Sequence, residues 1–167
     1  AERLAGSLQA LGAKVLSLPA IETRPISFSV PALSSFTHLV FTSASGVQAF
    51  FQGLRKEGKD TRSLYGMRML AVGKETASAL EGYGILPDFV PQVYTGQALA
   101  QEALEKGEVT LLSRPLWPCA KVPAPDLREI WEQAGIPLTS LAVYETFFPP
   151  FSPIAPEEVD LVTFTSQ

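Results

Sequence analysis

The chain has 167 residues, 46% of them apolar and 18% charged, with a formal net charge of −4. That length is one large domain or two small ones, and the apolar share fills a real core, so disorder is excluded. The acidic balance argues against a nucleic-acid surface or a basic membrane face, and no apolar run reaches transmembrane length. One cysteine, Cys119, leaves no internal disulfide, and one histidine, His38, leaves no zinc cluster. No G-x-S-x-G elbow is present for a serine nucleophile.

In chain order, Leu4, Leu8 and Leu11 follow a helical spacing that stops at Gly12, and Lys14–Leu18 is a short apolar run that reads as a strand. His38–Ser43 reads as a second strand, followed by a helix with Val47, Phe50, Phe51 and Leu54 on one face. Met67–Gly73 is a third strand, and its helix starts near Lys74 and stops by Gly82 or Gly84. Asp88–Val90 is a weak strand, Gln97–Lys106 a helix, and Val109–Ser113 a fourth strand. Leu127, Ile130, Trp131 and Ala134 form a helical stripe ending at Gly135, and Leu138–Val143 returns as a strand. Asp160–Ser166 opens a further unit. Apolar strands alternating with amphipathic helices predict an α/β fold with parallel sheet covered on both faces.

Prolines mark the seams. Pro25 and Pro31 bracket one polar stretch, and Pro149, Pro150, Pro153 and Pro156 bracket another. Proline removes a ladder donor, so neither stretch suits central sheet. Both suit a linker crossed near 24–31 and again near 144–153. A complete domain over 27–146 is then inserted into a first domain made of 1–26 and 147–167. An internal repeat favours two copies of one fold: a single offset of 123 positions carries Gly12 onto Gly135 and Thr23 onto Thr146. The same offset carries Phe28-Ser29 onto Phe151-Ser152 and Phe41-Thr42-Ser43 onto Phe164-Thr165-Ser166. The first domain reads as incomplete at both ends. With no signal-peptide pattern in view, the chain reads as the middle of a longer cytoplasmic protein.

Ligands of an open parallel sheet sit beyond the carboxyl ends of its strands, where helix N-termini leave unpaired N–H groups. Thr42, Ser43 and Ser45 are placed to cap the helix or to donate to an anion, and small Ala44 and Gly46 leave room for a ligand at the backbone. The turn Leu70–Ala77 repeats this geometry, with Gly73 at the turn and Thr76 in the first helical turn. Several such ends around one cleft would hold a multiply charged anion without many lysines. No P-loop and no G-x-G-x-x-G occur, so a nucleotide site is disfavoured.

Tyr144 stands at the second seam, where its repeat partner is Ile21. A phenol, with an ordinary pKa near ~10, suits a general acid better than a base; packing of the hinge is the competing role. Tyr94 is a second candidate for the site or for loop packing. Arg114, Lys74 and Lys121 are equally suited to solvation, His38 to a loop or sheet edge, and Cys119 to an inert thiol.

FTSASGVQAFF, LAVGKETASALEGYGILPDFVP, YTGQALAQEAL and GIPLTSLAVYET, in that order and spacing, make the chain resemble the uroporphyrinogen-III synthase family over essentially its whole length. The resemblance implies two similar flavodoxin-like domains with parallel sheets, joined by a two-stranded linker. It implies a cyclisation of hydroxymethylbilane, a linear tetrapyrrole with acetate and propionate arms, with inversion of the last ring. It implies no metal and no organic cofactor, and it leans toward a monomer. Thr42 and Ser43 fall on the family's strand-end Thr-Ser beside the substrate carboxylates, and Thr76 on the threonine of its VG-x-x-TA turn. Tyr144 falls on the tyrosine of VY-x-T, the family's leading candidate for assisting loss of the hydroxyl. Ser166 falls on the matching strand end of the other domain. Ser45 falls where some members carry arginine. A non-catalytic two-domain binding protein for a polyanionic small molecule is the alternative reading, and a flavin or nucleotide domain a third.

Overall fold

The computed structural model describes residues 2–16, 21–150 and 159–163. The chain divides into two compact units, Ala1–Glu22 with Phe147–Gln167, and Thr23–Thr146. In the first unit, α1 (Glu2–Ala10) ends as expected at Gly12, whose φ of +89° lies in the left-handed region that glycine enters freely. Gly12 N–H donates to the Gln9 carbonyl at 2.9 Å. Lys14–Leu16 form no strand, and Ser17 and Leu18 lie outside the described residues. Asp160–Thr163 likewise form no strand, and Phe164–Ser166 lie outside the described residues.

The second unit carries the sheet. Its elements are β1 (Glu22–Pro25), β2 (His38–Phe41), α2 (Ala44–Lys56), β3 (Arg68–Ala71) and α3 (Lys74–Glu81). They continue with α4 (Gly96–Glu105), β4 (Pro115–Ala120), α5 (Asp126–Gln133) and β5 (Thr139–Phe147). The strand order is β1-β5-β4-β2-β3, and the pairs β2–β3, β2–β4 and β4–β5 are all parallel. The predicted α/β class with parallel sheet is therefore what the chain forms. β1 ends in Pro25 and lies at the sheet's edge, where a missing donor costs no ladder bond.

Each sheet face is covered by its own helices. On one face Leu39, Phe41, Met69 and Val143 pack with Val47, Phe50, Phe51 and Leu54 of α2 and Leu80 of α3. The i, i+3, i+4, i+7 spacing in α2 puts those four side chains on the sheet side. Phe41 meets Phe50 edge-on at 5.8 Å, and Phe51 stacks on Tyr83 at 4.3 Å; such pairs add about 0.5–1.5 kcal/mol each beyond area burial. On the other face Val40, Leu70, Trp117 and Cys119 pack with Leu99, Ala100 and Ala103 of α4 and Leu127 and Trp131 of α5. Trp131 Nε1 donates to the Ala100 carbonyl at 3.0 Å, tying α5 to α4. Gly135, at φ +77°, closes α5 while Ile136 N–H reaches back to the Trp131 carbonyl.

The expected strand at Val109–Ser113 is corrected. That segment is a turn in which Ser113 N–H donates to the Thr110 carbonyl, and Leu111 and Leu112 are 72% and 87% exposed. The strand begins two residues later, at Pro115, and it is central. Its ladder to β2 spans only His38 and Leu39 opposite Pro115 and Leu116, while its ladder to β5 runs on to Ala120. Pro118, with no N–H, lies past the point where the β2 ladder stops, so the sheet tolerates it. The weak strand at Asp88–Val90 is a single bridge between Phe89 and Leu70.

At the amino ends of the strands, His38 is buried and bonded on both ring nitrogens. Arg114 N–H donates to Thr37 Oγ1 at 2.8 Å, and the Thr37 hydroxyl donates to His38 Nδ1 at 2.6 Å. Nε2 faces the Glu108 carbonyl at 2.9 Å. A carbonyl only accepts, so Nε2 carries a proton, and burial disfavours a second one on Nδ1. Burial pushes the His38 pKa down, the bond to the Glu108 carbonyl partly opposes this, and Arg68 adds to it.

Candidate functional site

β2 delivers Thr42 and Ser43 at its carboxyl end, where the chain turns into α2. Ser43 is the N-cap: its Oγ accepts the Gly46 N–H at 3.0 Å. The same Oγ lies 3.0 Å from the Tyr144 hydroxyl. Capping and a contact across the site are thus met by one atom. Thr42 does not cap; its Oγ1 accepts the Trp117 Nε1–H at 3.1 Å.

A register shift in the sheet brings Tyr144 to this place. Cys119 pairs with Ala142, but Ala120 pairs with Tyr144, so β5 carries one extra residue, Val143, at this point. Strict alternation would put Tyr144 on the side of Ser140, which bonds Arg128 of α5. The bulge turns it instead toward the face where Leu141 and Val143 pack, and Tyr144 joins their cluster beneath α2.

Gly46 completes the junction. A Cβ there would lie 3.0 Å from the Pro118 carbonyl oxygen, 3.2 Å from Ser43 Oγ and 3.7 Å from Tyr144 Cε1. The room expected at Gly46 for a ligand is occupied by β4 and the tyrosine. What the glycine permits is close approach of the helix to the strand, which holds Ser43 against Tyr144.

A cavity of about 350 Å³ opens at these strand ends, lined by Thr42, Trp117, Ala120, Tyr144 and Thr146, by Gly96 at the start of α4, and by the Val122–Leu127 stretch that enters α5. Asp126 is its one charged lining side chain among the described residues, and it is exposed. Beside it Glu145 pairs with Arg24 at 2.7 Å and Lys121 at 3.3 Å, which holds its carboxyl below the ordinary range.

Of the residues singled out in the sequence, Thr42, Ser43 and Tyr144 are brought together here. Ala44 and Ser45 open α2; Ser45 Oγ lies 3.3 Å from Thr23 Oγ1. Gly73, Thr76 and Tyr94 form a separate group at α3, and none lines the cavity. Gly73 precedes α3, and a Cβ on it would lie 2.8 Å from Tyr94 Cγ, so the half-exposed Tyr94 ring covers that helix entrance. Thr76 is buried at 3% exposure. Ser166 lies outside the described residues. Arg114 Nε donates to the Ser35 carbonyl at the opposite end of the strand, and burial pushes the Cys119 thiol pKa up. Trp117, Thr146 and Gly96 were not singled out. Trp117 sits in the proline-flanked strand; Gly96 directly follows Thr95, whose hydroxyl caps α4.

Fold and site together define an open parallel α/β protein whose cavity lies at the carboxyl ends of its strands. The family model for uroporphyrinogen-III synthase HemD matches residues 2–167, and the chain belongs to that family. It is 29% identical over 171 residues to the uroporphyrinogen-III synthase of Chlorobaculum parvum, covering 95% of this chain and 68% of that one. It is 32% identical over 109 residues to the porphyrin biosynthesis protein HemD of Ruminiclostridium josui, covering 62% of this chain and 22% of that one. The fold is similar to the crystal structure of a mutant uroporphyrinogen III synthase from Thermus thermophilus, with TM-score 0.66, 21% identity and coverage of 89% and 59%. It is also similar to the Helicobacter pylori synthetase, with TM-score 0.57, 20% identity and coverage of 81% and 57%. The chain thus spans about three fifths of the solved synthase chains it resembles. Among the described residues, no helix is long and apolar enough to cross a membrane.

Proposed function

We propose that this chain forms most of a uroporphyrinogen-III synthase, which closes hydroxymethylbilane into uroporphyrinogen III with ring D inverted. The observation that carries the reading is the 3.0 Å contact between Ser43 Oγ and the Tyr144 hydroxyl at the edge of the cavity. Family membership supplies the reaction; the contact supplies a positioned proton donor for it. Either hydroxyl can donate across this contact; the direction the reaction needs is the one in which Ser43, accepting from Gly46, gives its own proton to the Tyr144 oxygen and leaves the phenol proton for a ligand.

In this mechanism Tyr144 gives its proton to the departing hydroxyl, which leaves as water and generates an azafulvene cation. The substituted carbon of the terminal ring attacks that cation, giving a spiro intermediate. Fragmentation and reclosure join the ring in the reversed sense, and loss of a proton restores aromaticity and re-protonates the phenolate. The enzyme's larger task is to hold the chain curled, with carboxylate arms on neutral donors, so that this closure outruns the uncatalysed isomer.

On this reading the protein has two similar flavodoxin-like domains, the segment 27–146 inserted between the pieces 1–26 and 147–167. It acts as a cytoplasmic monomer on a small-molecule tetrapyrrole, without metal or organic cofactor. Ala44, Ser45, Gly73, Tyr94 and Ser166 belong to its substrate surface, and Thr76, expected there too, lies buried in the first turn of α3. The test is turnover of freshly generated bilane by the whole protein and by Tyr144→Phe. The variant should lose at least tenfold in kcat; unchanged rate and isomer ratio would remove the tyrosine from the mechanism.

A further inference from the structure

We infer that Trp117 is a positioning residue that fixes Thr42 as a hydrogen-bond donor into the cavity, directed at a carboxylate of the ligand. The inference rests on the reading above for the ligand's identity, but its geometry stands apart from it. An indole N–H only donates, and a buried one needs an acceptor. Trp117 is 2% exposed, and its Nε1–H is met by Thr42 Oγ1 at 3.1 Å. A threonine hydroxyl has one proton. With the indole donating to the oxygen from inside the sheet, that proton turns away from Trp117. Thr42 makes no other hydrogen bond among the described residues, and it lines the cavity. The hydroxyl is therefore presented outward as a donor, with its rotation set before a ligand arrives.

This bears on how an acidic chain holds an acidic ligand. Among the described residues the cavity lining has no lysine or arginine, and its one carboxylate, Asp126, is exposed to solvent. Recognition of a carboxylate there falls to neutral donors whose direction is fixed by the fold. Thr42 is held by Trp117, and Tyr144 is held by Ser43. Trp117 touches no reacting atom in this account; it acts through Thr42.

The experiment compares Trp117→Phe, Thr42→Val, Thr42→Ser and the double variant that combines Trp117→Phe with Thr42→Val, all in the whole protein. Two readouts are used: KM and kcat on bilane, and Kd for uroporphyrin III, a stable polycarboxylate. Trp117→Phe should raise KM and Kd about three- to tenfold, the range of one net hydrogen bond, with kcat within about twofold. Thr42→Val should do the same, Thr42→Ser should restore both constants, and the double variant should be no worse than Thr42→Val. Unchanged constants in Trp117→Phe, or losses that multiply in the double variant, would overturn the inference, since a packing role alone predicts independence. Should Trp117→Phe not fold, Trp117 emission in a Trp131→Phe background decides: uroporphyrin III must change it, and Thr42→Val must reduce that change at equal occupancy. An undiminished change overturns the inference. Absence of turnover with the Kd pattern intact would sink the proposed reaction alone. Absence of both turnover and binding would sink both.

Discussion

Ser43 and Tyr144, 101 residues apart in the chain, meet hydroxyl to hydroxyl at 3.0 Å, and the serine oxygen is at the same time the cap of α2. One side chain therefore couples the start of a helix to the phenol proposed as proton donor. Ser43→Ala should cost about 1 kcal/mol of stability for the lost cap, measured by urea denaturation. It should also lower kcat by more than that stability loss explains. Ser43→Thr keeps the capping oxygen and should recover most of both. Equal turnover in Ser43→Ala and wild type would separate the cap from the chemistry.

Gly46→Ala tests the close approach. Alanine ordinarily stabilises a helix by about 1 kcal/mol relative to glycine. Here its Cβ would meet the Pro118 carbonyl oxygen at 3.0 Å, a contact with the backbone of the central strand β4 rather than with a flexible side chain. The sign should reverse, with a net loss of about 1–2 kcal/mol in denaturant and reduced turnover from the displaced Ser43. A more stable Gly46→Ala variant would show that the helix can back away from the strand.

His38 predicts an acid-sensitive fold. Its pKa is lowered on folding, so the unfolded chain binds its proton first as pH falls. Stability from this group is fully present above the unfolded value of 6.5 and is lost as pH falls from there through the folded value. Thermal unfolding followed from pH 8 to 5 should show a decline below about 6.5 that is smaller in His38→Gln. A parallel decline in both proteins would show that His38 does not carry the effect.

Trp131→Phe should destabilise by about 1–3 kcal/mol, because the buried Ala100 carbonyl loses its side-chain donor and the smaller ring leaves a void between α4 and α5. The denaturant midpoint checks this, and KM should stay where it is.

Much of this architecture was legible from periodicity. The runs at His38–Ser43 and Met67–Gly73 and the stripe Val47, Phe50, Phe51, Leu54 announce their elements because burial on both faces demands unbroken apolar strands and sided helices. β4 was hidden for a physical reason. Pro115 and Pro118 mark a segment as unfit for central sheet, and only the register shows that Pro118 lies beyond the β2 ladder. The neighbouring Val109–Ser113 has the apolar content of a strand, yet it exposes both leucines because its backbone closes on itself as a turn, Ser113 N–H donating to the Thr110 carbonyl and Thr110 N–H to Ser113 Oγ. Misplacing that strand concealed Trp117, and with it the partner of Thr42. Thr42, Ser43 and Tyr144 could be named from their positions at strand ends, whereas their pairing depends on a one-residue bulge that no spacing rule reveals.

That bulge has a consequence for how the protein tolerates change. Which side of the sheet the phenol occupies is decided by counting residues along β5, and the chemical nature of those residues is secondary. A scan that swaps side chains one at a time leaves the count intact and passes over this dependence. Adding one position between Leu138 and Val143 would swing Tyr144 toward α5 while every functional group stayed in the chain, whereas removing Val143 alone would erase the bulge and leave Tyr144 opposite Ala120 on its present face. Evolution of this segment is accordingly freer in letters than in length.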